Sequence, residues 1–323
     1  MIEFRFPTLN CVRAAAARIA PFARVTPVLR DDALDELAGA RLYYKGEQLQ
    51  VGGAFKFRGA CNAVWSLSDE EAGRGVVTHS SGNHGAALAL AARTRRIPAH
   101  VVVPQGAVRA KLANIEAAGA TLHHCAPTLV AREEAAERIR RETGATMIHP
   151  YTDPRVIAGQ GTVALELLQQ APDLDLLIAP LGGGGLMSGT AIVTRALFPS
   201  TRLLAAEPAG ADDGWRSMQR GERVTGVVPD TICDGLRATI GEINFELLRM
   251  HGVEIEKADD PQILAAMQLL WTNLRQTVEP SSAVVLAVLL SQRARWRGMK
   301  IGLILSGGNV DLEALPFLKT ESS

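Results

Sequence analysis

Lys56 is the residue best placed for covalent chemistry, because of the side chains around it. It stands between Phe55 and Phe57, in the segment GAFKFRGA that runs from Gly53 to Ala60. Burial beside apolar rings disfavours an ammonium ion and lowers a lysine pKa, so that the neutral amine becomes available to attack an aldehyde. The alternative is a surface lysine that closes a loop before a helix, and this segment alone does not separate the two.

A polar turn follows a short β-branched run that ends at Thr78. The turn reads SSGNHG from Ser80 to Gly85, and we call it the serine turn; an alanine-rich helical pattern follows it. Backbone N–H groups at a helix N-terminus attract anions such as a carboxylate or a phosphate. An ordinary N-cap is the alternative, since Ser and Asn both cap helices. Two Ser, one Asn and two His between Thr78 and Gly85 are more than a cap needs.

Four consecutive glycines, Gly182 to Gly185, follow another apolar run, which ends at Ala179. This glycine loop also lies between a strand-like and a helix-like segment. Consecutive glycines let the backbone approach a ligand closely and leave a concave set of N–H donors that suits a phosphate. The spacing matches neither the Gly-x-Gly-x-x-Gly dinucleotide motif nor a P-loop. A flexible turn is the alternative.

Ser306 follows a third apolar run, Ile301 to Leu305, and directly precedes two glycines. Ligands of open α/β sheets bind at the carboxyl ends of the strands, which is where this hydroxyl would lie. A plain turn residue is the alternative reading of Ser306.

Strand-like and helix-like runs alternate through most of the chain. The strand-like runs are 41–45, 75–78, 99–104, 121–123, 176–179, 202–206 and 301–305, and helical patterns cover 130–142 and 157–170. Alternation of this kind predicts an α/β fold, with a parallel sheet and helices on both of its faces.

Composition argues against several classes of protein. The 323 residues carry 34 basic and 34 acidic side chains, so we expect no basic face for nucleic acid or an anionic membrane. No segment reaches the roughly 20 apolar residues that a membrane helix needs. The four cysteines lie far apart in the sequence. Their spacing argues against a disulfide framework or a zinc site and favours a cytoplasmic location.

The Lys56 segment, the serine turn, the glycine loop and the Ser306 turn together resemble the fold-type II pyridoxal-phosphate enzymes. They are most similar to the branch of serine/threonine dehydratases and serine racemases, over nearly the whole chain. The resemblance implies two domains, each a mostly parallel, open twisted sheet flanked by helices. The large domain would comprise residues 1–68 and 150–323 and the small domain residues 69–149, with pyridoxal 5'-phosphate in the cleft between them.

The resemblance also implies roles for individual residues. Lys56 would form the Schiff base with the cofactor, and Phe55 would pack on the cofactor ring. Asn83 would bond the ring hydroxyl oxygen, and Ser306 would face the pyridine nitrogen. The phosphate would be held by the backbone of Gly182, Gly183, Gly184, Gly185 and Leu186. The substrate would be bound by Ser80, Ser81, Asn83, His84 and Arg132.

An acidic loop after the run 202–206 is a candidate cation site. Its spacing alone favours a solvated loop. In the racemase-like branch the matching positions bind a divalent cation, so the resemblance implies Glu207, the carbonyl of Ala211 and Asp213 as ligands of Mg²⁺ or Ca²⁺. Asp212 is the alternative ligand.

The activity that the resemblance implies is α,β-elimination by a homodimeric ammonia-lyase. A small β-hydroxy amino acid (threonine, serine or 3-hydroxyaspartate) would become a 2-oxo acid and ammonia, with Lys56 as the base. The alternatives are a serine or aspartate-like racemase, in which Ser81 is the second acid/base, and a cofactor-binding protein without turnover. A second substrate carboxylate would pair with Arg132 or Arg237. Tyr151 stands where the branch often has Asn, which puts serine specificity in doubt.

Overall fold

The computed structural model describes residues 6–107 and 109–310. Its strands are β1 (Val28–Leu29), β2 (Arg41–Gly46), β3 (Val76–His79), β4 (Ala99–Pro104), β5 (Thr121–Cys125), β6 (Thr146–Met147), β7 (Leu176–Pro180), β8 (Arg202–Pro208), β9 (Glu254–Ala258) and β10 (Lys300–Leu305). Its helices are α1 (Leu9–Ile19), α2 (Asp32–Ala38), α3 (Lys56–Trp65), α4 (Asp69–Gly73), α5 (Asn83–Arg95), α6 (Arg109–Ala117), α7 (Leu129–Thr143), α8 (Pro154–Gln170), α9 (Gly185–Leu197), α10 (Asp213–Arg220), α11 (Glu242–Met250), α12 (Asp260–Leu269) and α13 (Pro280–Ser291).

The strands form two sheets. The larger has the order β1-β2-β10-β7-β8-β9 and the smaller the order β5-β4-β3-β6. Neighbouring strands run parallel throughout, except that β1 is antiparallel to β2. The predicted α/β fold with mostly parallel sheets is therefore confirmed. The predicted domain boundaries at residues 68/69 and 149/150 stay a prediction, and residues 1–5 and 311–323 of the predicted large domain lie outside the described residues.

Side chains of the large sheet alternate between two apolar cores, as the period of a strand requires. On one face Leu303 and Leu305 pack with the apolar helix α13. On the other face Ile304 packs with residues of α8 and α9, such as Val163 and Ile192. Both faces of the central strands are covered, which is why these strands read as continuous apolar runs.

The small sheet is covered in the same way. Val102 faces α7, where it packs with Ala136 and Ile139. Val101 and Val103 face the opposite side, towards residues of α5 and α6. No helix within residues 6–107 and 109–310 is long and apolar enough to cross a membrane.

Helices α3, α8 and α9 pack with their backbones in close contact, through pairs of glycines. A methyl group at Gly159 of α8 would lie 2.6 Å from the Cα of Gly59 in α3. A methyl group at Gly189 of α9 would lie 2.5 Å from the backbone nitrogen of Gly161 in α8. The helix that begins with Lys56 and the helix that follows the glycine loop are thus both in backbone contact with α8.

Candidate active site

Lys56 is the first residue of α3, at the carboxyl edge of the large sheet. The chain before it is fixed to the end of β10, because the Phe55 N–H donates to the Ser306 carbonyl at 2.9 Å. Lys56 Nζ donates to the Pro150 carbonyl at 3.0 Å and lies 5.1 Å from the centre of the Phe55 ring. Removal from water lowers the pKa of Lys56 to about 8, while the charge of Glu279 opposes this shift. The amine is therefore partly neutral near pH 7.

A buried ion network fixes the first turn of α3. Arg58, with 1% of its surface exposed, donates to both oxygens of Glu47 and both oxygens of Glu166. Lys45 also donates to Glu166, at 2.7 Å. Bidentate pairs of this kind orient a guanidinium strongly, so Arg58 holds the turn from which Lys56 extends. Sequence reasoning missed this network, since its members are far apart in the chain.

The serine turn connects β3 to α5 at the carboxyl edge of the small sheet. The Ser80 hydroxyl accepts from the Gly82 N–H at 3.4 Å. Ser81 is half-buried in the same turn. A methyl group at Gly82 would meet no described atom within 4 Å. The turn is open, and its N–H groups lie at the N-terminus of α5, where a carboxylate is favoured.

Asn83 and His84 begin α5 and are more tightly held. Asn83 Nδ2 donates to Glu279, 3.0 Å from Oε1 and 3.1 Å from Oε2. Its Oδ1 accepts from Asn309 Nδ2 at 3.0 Å. His84 Nε2 lies 3.4 Å from the Ile148 carbonyl, and burial lowers the pKa of His84 well below its ordinary value. His84 is therefore neutral at physiological pH.

The glycine loop is buried between β7 and α9. A methyl group added at Gly182 would lie 2.9 Å from Leu236 Cα, and one added at Gly183 would lie 2.4 Å from Tyr151 Cγ. A methyl group added at Gly184 would lie 2.7 Å from Asn244 Cβ. Gly184 also has φ +94°, which favours glycine.

Three backbone N–H donors of the glycine loop are open to a ligand. The N–H groups of Gly182, Gly183 and Gly184 donate to no other group within residues 6–107 and 109–310. Buried N–H groups need a partner, and a phosphate at the N-terminus of α9 would supply one. The loop thus fits the cofactor phosphate.

Ser306 is 3% exposed and follows β10 directly. Its hydroxyl lies 3.5 Å from the Ser282 hydroxyl, which accepts from the Gly307 N–H at 3.1 Å. The group at this position is therefore a neutral hydroxyl in a hydroxyl-lined site. It fits a pyridine nitrogen without enforcing its protonation.

Three aromatic and imidazole rings lie next to Lys56 and the glycine loop. His149 lies edge-on to both His79 and Tyr151, with ring centres 5.3 Å and 4.6 Å apart. Burial lowers the pKa of His149 to about 3 and raises that of Tyr151. His149 Nδ1 accepts from the Thr152 N–H at 3.1 Å, so the ring's remaining proton is on Nε2. The sequence drew attention to His79 and Tyr151, but not to their contact with His149.

The two arginines predicted to read a second carboxylate differ in placement. Arg132 is half-buried on α7, its Nε donates to the Thr128 carbonyl at 3.4 Å, and its charge lowers the pKa values of His79 and Tyr151. The neighbouring Glu133 raises both values and acts on the same region. Arg237 is exposed and donates to the Thr231 carbonyl. Both arginines thus donate to a carbonyl of their own segment, and Arg132 is close enough to His79 and Tyr151 for its charge to act on both rings.

The acidic loop lies at the end of β8, and its three carboxylate residues are buried, unlike those of the solvated loop that its spacing favours. Glu207 accepts from the Gly214 and Trp215 N–H groups at 3.0 and 2.8 Å. Burial and the nearby Asp213 raise the pKa of Glu207 well above its ordinary value. Burial raises the pKa of Asp213 to about 6.

Asp212 differs from its two neighbours, since it is paired with Arg216 and Lys257. Within the described residues no three His, Cys, Asp or Glu side chains cluster as a metal site. Both oxygens of Asp212 are already in ion pairs, which makes it the least suited of the three carboxylates to a cation.

Comparison with known proteins identifies the class. The family model described as pyridoxal-phosphate dependent enzyme matches residues 19–307. The chain is 46% identical to β-hydroxyaspartate dehydratase of Paracoccus denitrificans (strain Pd 1222), over 96% of this chain and 99% of that one. It is 47% identical to serine racemase of Arabidopsis thaliana, over 94% and 93%. The structure of maize serine racemase matches with a TM-score of 0.93 at 44% identity, covering 96% of this chain and 95% of that one.

The chain therefore belongs to the pyridoxal-phosphate-dependent enzyme family. The expectations of pyridoxal 5'-phosphate as cofactor and of a dehydratase-like lyase are confirmed. Among the residues predicted from the sequence, Lys56, the glycine loop and Ser306 lie at the carboxyl edge of the large sheet, and the serine turn lies at that of the small sheet.

Proposed function

We propose that the protein dehydrates a β-hydroxy amino acid that carries a second carboxylate, with 3-hydroxyaspartate as the preferred substrate. One observation carries the elimination chemistry: Lys56, whose pKa is lowered to about 8, lies with its amine against the Pro150 carbonyl at the carboxyl edge of the sheet. A base of this pKa has a neutral fraction near pH 7 and can accept a proton.

Bound pyridoxal 5'-phosphate supplies an electron sink that makes the α-proton of an amino acid removable. The residues of the chain do the rest. The glycine loop and Leu186 would hold the phosphate by backbone N–H groups, and Asn83 would bond the ring hydroxyl oxygen. Lys56 Nζ would take the α-proton, and the β-hydroxyl would leave with a proton as water. Water would then convert the resulting enamine to the 2-oxo acid and ammonia. Ser306 would leave the pyridine nitrogen neutral, which suits elimination.

The substrate is held by the serine turn and by Arg132. The N-terminus of α5 and the hydroxyls of Ser80 and Ser81 receive the α-carboxylate. Arg132 acts on the cleft from the small-sheet side, and arginine pairs with a carboxylate through two hydrogen bonds. The similarity to a β-hydroxyaspartate dehydratase supports this assignment.

The test is release of 2-oxo acid from L- and D-serine, L- and D-threonine and the stereoisomers of 3-hydroxyaspartate. We expect a 3-hydroxyaspartate isomer to have the highest kcat/KM. Arg132→Gln should lower that value about ten- to hundredfold, because a charged hydrogen-bonded pair contributes about 1.5–3 kcal/mol, and should leave serine and threonine unchanged. Arg138→Gln, in the same helix and exposed, is the matched control. No release from any member of the panel would contradict the dehydratase.

A racemase is the second candidate, supported by the serine racemase relatives and by Ser81, which is half-buried in the open serine turn. Racemisation needs a second acid/base on the face opposite Lys56. Ser81→Ala should then abolish inversion of configuration at the substrate Cα, which chiral chromatography measures. It should spare the release of 2-oxo acid. Racemisation that persists in Ser81→Ala would exclude Ser81 from this role.

We further propose a divalent cation, Mg²⁺ or Ca²⁺, held by Glu207, Asp213 and the Ala211 carbonyl. The support is the burial of two carboxylates whose pKa values are raised, a cost that a cation removes.

We also propose a homodimer in the cytoplasm. None of the four cysteines is in a disulfide within the described residues, which agrees with a reducing compartment. Light scattering coupled to size exclusion measures the assembly.

A further inference from the structure

Glu279 is a buried carboxylate next to the site that the mechanism above does not use. It precedes α13, has 3% of its surface exposed, and its N–H donates to the Gly307 carbonyl at 3.1 Å. A methyl group at Gly307 would lie 2.9 Å from Glu279 Oε1. The carboxylate is therefore held against the turn that follows β10, beside Ser306.

The first consequence concerns the orientation of Asn83. Both oxygens of Glu279 accept from Asn83 Nδ2, at 3.0 and 3.1 Å, and on the other side Asn309 Nδ2 donates to Asn83 Oδ1. Asn309 itself is fixed by donating to the Gly52 carbonyl at 2.8 Å. A carboxylate can only accept, so exchange of the oxygen and nitrogen of Asn83 would lose the bonds on both sides. Glu279 thus fixes Asn83 with Nδ2 towards Glu279 and Oδ1 towards Asn309.

The second consequence concerns charge. The chain around Lys56 removes its amine from water, and the Glu279 carboxylate is the opposite charge that favours the ammonium form. The other titratable groups that interact with Lys56 are His84 and His149, with His79 next to both. All three imidazoles have lowered pKa values and are neutral near pH 7.

We propose that Glu279 is a positioning residue of the active site, which fixes the Asn83 amide for the cofactor and supplies the negative charge that acts on Lys56. The inference rests on the family's cofactor and holds for a dehydratase and a racemase alike. It predicts that charge and hydrogen bonding at residue 279 have separable effects.

Two variants of the full-length, cofactor-free protein separate these effects. Glu279→Gln removes the charge, so the pKa of Lys56 should fall below about 8, and the rate of cofactor uptake at pH 7 should rise about three- to fivefold, since the neutral amine reacts. Glu279→Asp keeps the charge but withdraws it from Asn83. It should leave the Lys56 pKa in place and raise the cofactor Kd about fivefold, as expected for one lost hydrogen bond.

The Lys56 pKa is measured by NMR after ¹³C-methylation of the amines, with the signal assigned by its loss in Lys56→Arg. Glu36→Gln, an exposed carboxylate of α2, is the matched control and should change neither quantity. An unchanged Lys56 pKa in folded Glu279→Gln would overturn the charge role. An unchanged cofactor Kd in Glu279→Asp would overturn the Asn83 role, and this holds even where Glu279→Gln fails to fold.

Discussion

The serine turn and the glycine loop connect a parallel strand to a helix in the same way, yet their surroundings differ. Every residue from Leu181 to Thr190 is buried, and methyl groups at three of the four glycines would meet atoms within 3 Å. The serine turn is half-buried from Ser80 to Asn83, and Gly82 has open space around it. The glycine-loop end of the site is therefore fixed by packing, whereas the serine-turn end has room to change its conformation.

This division fits the roles proposed above, with the phosphate at the glycine loop and the substrate at the serine turn. A phosphate is the same in every catalytic cycle, so donors held at fixed positions lose little entropy on binding it. A substrate enters and leaves, and a turn with room around it can change its conformation as it binds. The serine turn is joined to the large sheet through Asn83, by its hydrogen bonds to Glu279 and Asn309.

Gly183→Ala should give the largest effect of the variants that test this contrast. The added methyl group would lie 2.4 Å from Tyr151 Cγ, so the loop or the ring must move. Overpacking of this kind costs about 1–3 kcal/mol, and we expect the cofactor Kd to rise about ten- to hundredfold, measured by absorbance titration. A Kd within twofold of the wild-type value would contradict a loop fixed by packing.

Binding of the proposed cation should have an effect of intermediate size on stability, confined to the glycine-loop side of the site. Asp213 Oδ2 accepts from the Ile240 N–H, and the next residue, Gly241, donates to the Gly183 carbonyl. The folded-state pKa of Asp213 is raised from 3.8 to about 6. Its contribution to stability without a cation is therefore present below about pH 4 and lost as the pH rises through about 6.

Added Mg²⁺ or Ca²⁺ should raise the Tm at pH 8 by about 2–5 °C and much less at pH 5. The comparison is with EDTA-treated protein at equal ionic strength. Asp213→Asn should abolish the cation-dependent rise. A rise that is equal at both pH values, or retained in Asp213→Asn, would place the cation elsewhere.

Gly82→Ala should give the smallest effect. The methyl group meets no described atom within 4 Å, and φ of −115° is open to any residue. We expect the cofactor Kd to stay within about twofold, since substitutions in open space change stability by less than about 0.5 kcal/mol. A loss as large as that of Gly183→Ala would remove the distinction between the two turns.

Most of the fold followed from apolar runs bounded by glycine and polar turns. All seven predicted strands are present, and each of their ends lies within two residues of the predicted one. Three strands were missed. β1 and β6 have two residues each, too few for a pattern, and β9 is an edge strand whose charged residues mask its alternation.

The site was predictable where it lies in continuous motifs and not where distant residues meet. Lys56, the glycine loop and Ser306 are each part of a local pattern. The contact of Asn83 with Glu279 joins residues 196 positions apart, and that of Arg58 with Glu166 joins residues 108 apart. No periodicity reports such pairs, because they depend on how the two sheets are arranged in space.

The glycine contacts among α3, α8 and α9 have a consequence for how this enzyme can change over evolutionary time. The spacing between the amine of Lys56 and the phosphate site is set by backbones that touch, not by the volumes of side chains. A single methyl group at Gly159 or Gly189 would meet backbone atoms of the neighbouring helix within 2.7 Å and alter this spacing. Substitutions at these two glycines should therefore be tolerated less well than substitutions around the open serine turn.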